Sequence, residues 1–204
     1  MKYRVIFYNY GTYPERNHNA NIDWEKYRIE NNLTDTAIKT QCLYVDHHLN
    51  AGGGNYALAI CNSNCSARSI EIAKDYVAFA SRAFTIKKAP LTPHYGVNKG
   101  VWIKDGTVRY TKMPAIVCEP LFLDNPDHLK WIDIEGGQRK IAHCLADTIL
   151  KNYPDGGLIC LSAGHGDYGY KYSPGAIALN GKYEHDYCVS ILQQVEKILG
   201  GADD

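Results

Sequence analysis

Two histidines and two glutamates stand where predicted strands end or a predicted helix begins, and their residue types suit metal binding. His165 follows the apolar run 157–162 and lies between Gly164 and Gly166. Glycines on both sides let the backbone turn sharply and leave the imidazole exposed. Open α/β sheets bind their ligands at this carboxyl end of the strands. A turn histidine without a functional role explains the pattern equally well.

Glu184 opens the last predicted helix, just after a glycine turn. A carboxylate in the first turn of a helix complements the helix dipole, and this explanation alone accounts for its position. Glu184 also lies on the apolar stripe of this helix, together with Cys188 and Ile191, so it is expected to face inward. Because a buried carboxylate needs a partner, a cation such as zinc is the second explanation.

Two further strands end in residues of the same kinds. The predicted strand 42–48 ends in His47 and His48. Neighbouring residues on a strand point to opposite faces, so at most one of the two joins a given site. The predicted strand 115–119 ends in Glu119, which is well placed as a general base. The alternatives are a pair of polar strand-end residues without a role and a glutamate satisfied by backbone N–H groups.

These four segments belong to an alternation of strands and helices. Short runs rich in Val, Ile and Tyr predict strands at 3–10, 42–48, 56–61, 83–87, 100–104, 115–119 and 157–162. Helical spacing of apolar residues predicts helices at 23–36, 66–84, 137–152 and 184–199. The alternation predicts an α/β fold with one domain over residues 1–204. Its sheet is expected to be twisted, mixed and mostly parallel, with helices on both faces.

The composition limits the partners and the compartment. Lys plus Arg and Asp plus Glu number 22 each, so no net charge attracts a nucleic acid. The seven cysteines lack a zinc-finger spacing and are expected as free thiols in a reducing cytoplasm. The N-terminal apolar run is too short for a signal peptide, and no run reaches the roughly 18 apolar residues of a membrane span. We therefore expect synthesis in the cytoplasm without a membrane span.

Around the four residues, the chain carries motifs typical of one enzyme family. They are Ala-Gly-His-Gly at 163–166, Ser-Pro-Gly-Ala at 173–176, the helix that begins with Glu184, His-Leu-Asn-Ala at 48–51, Met-Pro-Ala-Ile-Val-Cys-Glu at 113–119 and Asp-Asn-Pro at 124–126. In these motifs the chain resembles the zinc-dependent N-acetylmuramoyl-L-alanine amidases of the amidase-3 family. The resemblance extends over nearly the whole chain.

The motifs stand in a rotated order. In the family, the Gly-His-Gly segment and the helix glutamate come first, and the His-x-Asn-Ala and strand-glutamate segments follow. Here His48 and Glu119 precede His165 and Glu184, as expected of a circular permutation. The ancestral ends would then be joined near 152–157, where the chain has the Pro, Asp and Gly of a tight connection.

The resemblance implies a site and an activity. Zinc would be bound by His48, His165 and Glu184, with a position left for water. Glu119 would be the catalytic base. The bond cut would be the amide between N-acetylmuramic acid and L-alanine in peptidoglycan or muropeptides, as in a phage or prophage endolysin that acts on the cell wall after release. The alternatives are a zinc-dependent amidohydrolase or carboxypeptidase for another peptide, and a non-catalytic wall-binding module.

Some details depart from the family pattern. Leu121 stands where the family usually has glycine, and the loop 167–172 is longer than usual. His47 offers a second imidazole that would be an alternative ligand to His48. Asn50 either positions the substrate or shapes the loop that contains it.

Overall fold

A computed structural model of the chain describes residues 2–9, 13–92, 96–104, 106, 108–167 and 171–201. Its strands are β1 (Tyr3–Tyr8), β2 (Cys42–His47), β3 (Tyr56–Cys61), β4 (Lys87–Lys88), β5 (Gly96–Asn98), β6 (Val101–Ile103), β7 (Ala115–Glu119), β8 (Gly157–Ala163), β9 (Gly166–Asp167) and β10 (Tyr172–Ser173). Its helices are α1 (Tyr13–Glu30), α2 (Ile38–Gln41), α3 (Ala67–Phe84), α4 (Pro126–Ile132), α5 (Glu135–Asn152) and α6 (Glu184–Leu199), with a short 3-10 helix at Asp35–Ala37.

Within the described ranges, eight strands form one mixed sheet. Seven follow the order β1-β8-β2-β7-β3-β6-β5, and β4 pairs with β3. The neighbouring pairs β1–β8, β8–β2 and β2–β7 are parallel, and so are β3–β6 and β3–β4. The pairs β3–β7 and β5–β6 are antiparallel. The predicted single-domain α/β fold with a mostly parallel sheet is therefore confirmed. No helix in the described part of the chain is long and apolar enough to cross a lipid bilayer.

Side chains alternate along β2, and the alternation separates two cores. Leu43 and Val45 lie in the larger core, which contains the buried faces of α3, α5 and α6. Cys42 and Tyr44 lie in the smaller core with Trp24 of α1. Helices therefore cover both faces of the sheet. The alternation also decides which residues at the end of β2 share a face.

Two predicted elements are wrong. The predicted strand 83–87 begins instead in the last turn of α3, which continues to Phe84 because that side chain is buried in the larger core. Only the two residues of β4 form a strand beyond it. The predicted helix 23–36 is instead α1, which begins at Tyr13 and ends before Asn32, whose backbone is left-handed with φ 53°.

Other differences concern short or terminal segments. Helix α4 has no predicted counterpart, because its 7 residues are too few to show a helical period. Its amino end is capped by Asn125, whose side chain accepts a hydrogen bond from the N–H of Asp127 (3.0 Å). The predicted first strand ends at Tyr8 rather than Tyr10, and Tyr10 itself lies outside the described residues.

The connection from α5 to β8 is where the ancestral ends are expected to be joined. Gly156 has φ +91°, and a Cβ at this position would lie 1.9 Å from the carbonyl oxygen of Lys2. Only glycine fits such a close approach in this conformation. The next residue, Gly157, is paired with Tyr3 at the start of β1. The segment is the tight connection that its residue types predict.

Candidate metal centre

The carboxyl ends of β8, β2 and β7 lie side by side. The backbone N–H of His48 donates a hydrogen bond to the carbonyl of Cys118 in β7 (2.9 Å). The N–H of Gly164, just after β8, donates to the carbonyl of His47 (2.7 Å). The carboxyl ends of the three strands therefore meet at one edge of the sheet.

Glu184 reaches this edge from the first turn of α6, where it is only 3% exposed. Its Oε1 lies 3.1 Å from Nδ1 of His48 and accepts a hydrogen bond from the N–H of Leu49 (3.2 Å). Its Oε2 lies 3.1 Å from Nε2 of His165 and accepts a hydrogen bond from the N–H of Ala176 (3.0 Å). Each carboxylate oxygen thus has one imidazole nitrogen and one amide as neighbours.

His48 has a carboxylate at each of its two ring nitrogens. While Nδ1 faces Glu184, Nε2 lies 3.3 Å from Oδ2 of Asp46. The ring packs against Gly164, where a Cβ would lie 2.5 Å from Nδ1. Burial alone would lower the pKa of His48, but the charges of Asp46 and Glu184 outweigh it and raise this pKa to about 10. In the metal-free protein this imidazole therefore carries a positive charge.

His165 is positioned largely through its backbone. Its φ of 64° lies in the left-handed region that residues other than glycine seldom adopt, and Gly166 follows with φ 101°. The buried guanidinium of Arg16 donates hydrogen bonds to the carbonyl oxygens of Ala163 (2.5 Å) and His165. Gly175 packs directly on the ring, since a Cβ there would lie 2.5 Å from Cδ2 of His165. Three segments of the chain thus fix this turn.

His48, His165 and Glu184 form a group whose donor atoms all lie within 4.8 Å of one another. Two imidazoles and a carboxylate are a donor set typical of catalytic zinc, which keeps a further position open. Burial would raise the pKa of Glu184, but the hydrogen bonds and charges of His165 and His48 hold it below its usual value. A cation in place of the shared protons would satisfy the same groups, so these residues fit the zinc ion that the resemblance implies.

His47 lies on the opposite face of β2 and is not part of this group. It is fully buried, and neither ring nitrogen has a hydrogen-bond partner among the residues that the structure describes. Burial and the charge of His48 lower its pKa to about 3, although Asp46 and Glu184 act in the opposite direction. The alternative in which His47 replaces His48 as a ligand therefore has no geometric support.

Glu119 ends β7 at the same edge of the sheet and is half-buried. Burial raises its pKa; the charge of His48 lowers it and that of Glu184 raises it again, so that the net shift is upward. A carboxyl group whose pKa is shifted toward neutrality is suited to accept and return a proton. The position of Glu119 and the upward direction of its pKa shift are both compatible with a general base.

Asn50 shapes the loop after β2. Its side-chain oxygen accepts a hydrogen bond from the N–H of Ala51 (2.8 Å), and its backbone N–H donates to the carbonyl of Leu121 (2.8 Å). Leu121 itself is fully buried in the larger core. Of the two alternatives for Asn50, the geometry supports the one in which it shapes the loop. Within the long loop 167–172, residues 168–170 lie outside the described part of the chain.

Two buried charged residues near the group were missed from the sequence. Asp46 and Arg16 are only 1% and 3% exposed. The sequence could have indicated that Asp46 is near the group, since it lies two residues before His48 and therefore shares its face of the strand. It gave no such indication for Arg16, which lies on α1 and is 149 positions away from His165, whose carbonyl it contacts.

Comparisons with known proteins extend these observations. No protein-family model and no curated protein matches the chain. The chain is similar to the solved N-acetylmuramoyl-L-alanine amidase from Clostridium difficile 630, with 18% identity and a TM-score of 0.50 over 69% of this chain. It spans 64% of the length of that amidase.

Two other solved structures are similar at lower TM-scores. The catalytic domain of CwlV, an N-acetylmuramoyl-L-alanine amidase from Bacillus (Paenibacillus) polymyxa var. colistinus, has 19% identity and a TM-score of 0.42, with 62% of this chain and 61% of that chain covered. The amidase Ami1 from Mycobacterium smegmatis has 14% identity and a TM-score of 0.44, with 64% and 59% covered. The likeness to the Clostridium difficile protein shows that the two chains share a fold.

Proposed function

We propose that this chain is a zinc-dependent peptidoglycan amidase, which hydrolyses the amide between N-acetylmuramic acid and L-alanine. The observation that carries the proposal is the group formed by His48, His165 and Glu184, with Glu119 at the same edge of the sheet. The fold shared with a solved N-acetylmuramoyl-L-alanine amidase and the motif resemblance support the same activity.

In this mechanism each of the four residues has one task. His48, His165 and Glu184 would hold a zinc ion, which would supply Lewis acidity to activate water and to polarise the scissile carbonyl. Glu119 accepts the proton of the attacking water and passes it to the nitrogen of the leaving L-alanine. The carbon–nitrogen bond breaks, and the products are a lactyl carboxylate and a free amino group.

We further propose that the chain is a circularly permuted amidase-3 domain. The end of α6 and the start of β1 line one surface cavity, which includes Lys2, Arg4, Glu196 and Gly200. A short segment would therefore connect these two elements in the ancestral order. A permuted chain also needs a connection between the ancestral ends. The tight turn at Gly156, which leads from α5 into β8, is compatible with such a connection.

A phage or prophage endolysin, made in the cytoplasm and acting on the cell wall after release, is the setting we propose. All seven cysteines are free thiols and six are buried, as in proteins from a reducing compartment. Expression inside bacteria should lyse the cells only after the membrane is permeabilised. Lysis by expression alone would contradict the release step, and turbidity records distinguish the two.

The zinc content and the products of the purified protein test the proposed activity. The wild-type chain is expected to hold zinc and to release new amino-terminal L-alanine from purified peptidoglycan, without new reducing sugar ends. Glu119→Ala and Glu119→Gln should keep zinc but lose about 10²–10⁴-fold in rate, the usual contribution of a general acid–base group. Glu196→Gln, an exposed change on α6, is the matched control and should retain full activity.

Other outcomes would favour the alternatives. Equal rates in Glu119→Ala and the wild type would remove the assigned role of Glu119. A wild-type chain without zinc would contradict the whole proposal. Release of carboxyl-terminal amino acids instead of new L-alanine termini would indicate a carboxypeptidase. Binding to peptidoglycan without zinc or soluble product would indicate a wall-binding module.

A further inference from the structure

Asp46 is a buried carboxylate that the proposed reaction does not use. Its side chain is almost completely removed from solvent. Its Oδ2 lies 3.3 Å from Nε2 of His48, and its Oδ1 has no hydrogen-bond partner in the described part of the chain. Because an ionised carboxylate in such a place is costly without a countercharge, its contact with His48 needs a physical account.

Arg16 supplies a second positive charge close to this carboxylate. Ser162 in β8 is paired with Asp46 across the sheet, and its Oγ accepts a hydrogen bond from Nη1 of Arg16 (3.1 Å). Arg16 thus places a guanidinium next to the residue that faces Asp46 across the sheet, and this guanidinium is a countercharge for the buried carboxylate.

We propose that Asp46, with Arg16 as its countercharge, is a positioning residue that holds His48 with its Nε2–H toward Asp46 and its Nδ1 toward the metal centre. The inference rests on the proposed zinc site. A neutral imidazole has one N–H and one nitrogen with a free lone pair, and only the latter binds a metal. A carboxylate at Nε2 selects the proton there and leaves Nδ1 as the ligand atom.

The geometry separates this role from direct metal binding. Asp46 and Glu184 face different nitrogens of the His48 ring. Asp46 also lies outside the group of donor atoms formed by His48, His165 and Glu184. It therefore acts on the metal centre through the orientation and protonation of one ligand.

Zinc affinity of the purified full chain, measured by competition with a chromophoric chelator at one pH, tests the role. Asp46→Asn is expected to weaken zinc binding about 10- to 100-fold, the usual cost of losing a residue that orients a metal ligand. The absorption spectrum of the Co²⁺-loaded protein should also change. Asp23→Asn is the matched control, because Asp23 accepts a hydrogen bond from Tyr8 of β1, which β8 separates from β2.

The outcomes distinguish this inference from the proposed function. If Asp46→Asn loses stability but keeps wild-type zinc affinity and an unchanged Co²⁺ spectrum, the inference is wrong and the zinc site stands. If the wild-type chain binds no zinc, both fail. If Asp46→Asn does not fold, the tautomer of His48 is measured in the wild-type protein instead. Long-range ¹H–¹⁵N spectra of the zinc-loaded wild type should show His48 protonated at Nε2. Protonation at Nδ1 would overturn the inference.

Discussion

At the end of β2 the ring of His48 is held by other side chains, whereas at the end of β8 the ring of His165 is held through its backbone. Asp46 and Glu184 face the two nitrogens of His48. His165 is instead positioned by its left-handed backbone and by Arg16, which donates a hydrogen bond to the carbonyl oxygen of His165 itself. Both rings nevertheless meet the same carboxylate.

The difference follows from where each histidine stands relative to its strand. The backbone N–H of His48 continues the hydrogen-bond ladder to β7, so the sheet orients the backbone and only the ring remains to be fixed. His165 lies one residue beyond Gly164, in the turn between β8 and β9, and belongs to neither strand. The two histidines of the candidate centre therefore depend on different kinds of support.

The largest effect is expected from Glu184→Gln, since this side chain contacts both histidines. Zinc affinity should fall by more than the roughly 100-fold that losing a residue beside a ligand costs at most, because a proposed ligand itself is altered. Chelator competition measures the loss. Glu196→Gln on the same helix is the control. Wild-type affinity in Glu184→Gln would mean that the two strand ends do not share a metal centre.

The pH dependence of the free energy of unfolding tests whether Asp46 and Glu184 stabilise the charged ring of His48. Since its pKa is raised from 6.5 to about 10, its contribution to the stability of the metal-free protein is present below pH 6.5 and is lost as the pH rises to about 10. His48→Asn should remove this loss, on the order of a few kcal/mol. Urea unfolding with a chelator present measures it, with the exposed His18→Asn as control. An unchanged pH profile in His48→Asn would contradict the stabilisation of His48 by the two carboxylates.

A pair of glycine substitutions tests the support of His165. Gly175 (φ +79°) and Gly181 (φ +83°) are both left-handed, so alanine strains each by about 1–2 kcal/mol. Only at Gly175 would the new Cβ meet the site, 2.5 Å from Cδ2 of His165 and 2.7 Å from Oε2 of Glu184. Gly175→Ala should weaken zinc binding about 10- to 100-fold. Equal affinities in the two variants would show that packing at Gly175 does not position the ring.

The smallest effect is expected from His47→Leu. No described residue is a hydrogen-bond partner of either ring nitrogen of His47, so an apolar side chain of similar size should be neutral or should raise the free energy of unfolding by about 1 kcal/mol. Zinc affinity should stay at the wild-type value, because His47 faces away from the centre. Chemical unfolding and chelator competition measure both. Weakened zinc binding would place His47 in the site after all.

Much of the candidate site at the carboxyl edge of the sheet could be predicted, because it depends on local sequence rules. The glycines beside His165 predicted a sharp turn after a strand, and the helical stripe through Glu184 predicted a buried carboxylate. Strand alternation predicted that His47 and His48 would separate to opposite faces. Local rules failed in α1, whose polar sequence shows little helical period, and at 83–87, where packing of Phe84 extends α3.

The residue types, their turns and the faces they share were therefore contained in the sequence, since each depends on neighbours along the chain. Which segments lie beside one another was decided only by the tertiary structure. His48 and Glu184 are 136 positions apart, and they meet because β8 is inserted between β1 and β2. The contacts of Arg16 with the His165 turn arise in the same way. Such contacts depend on how helices bury both faces of the sheet, which no local pattern specifies.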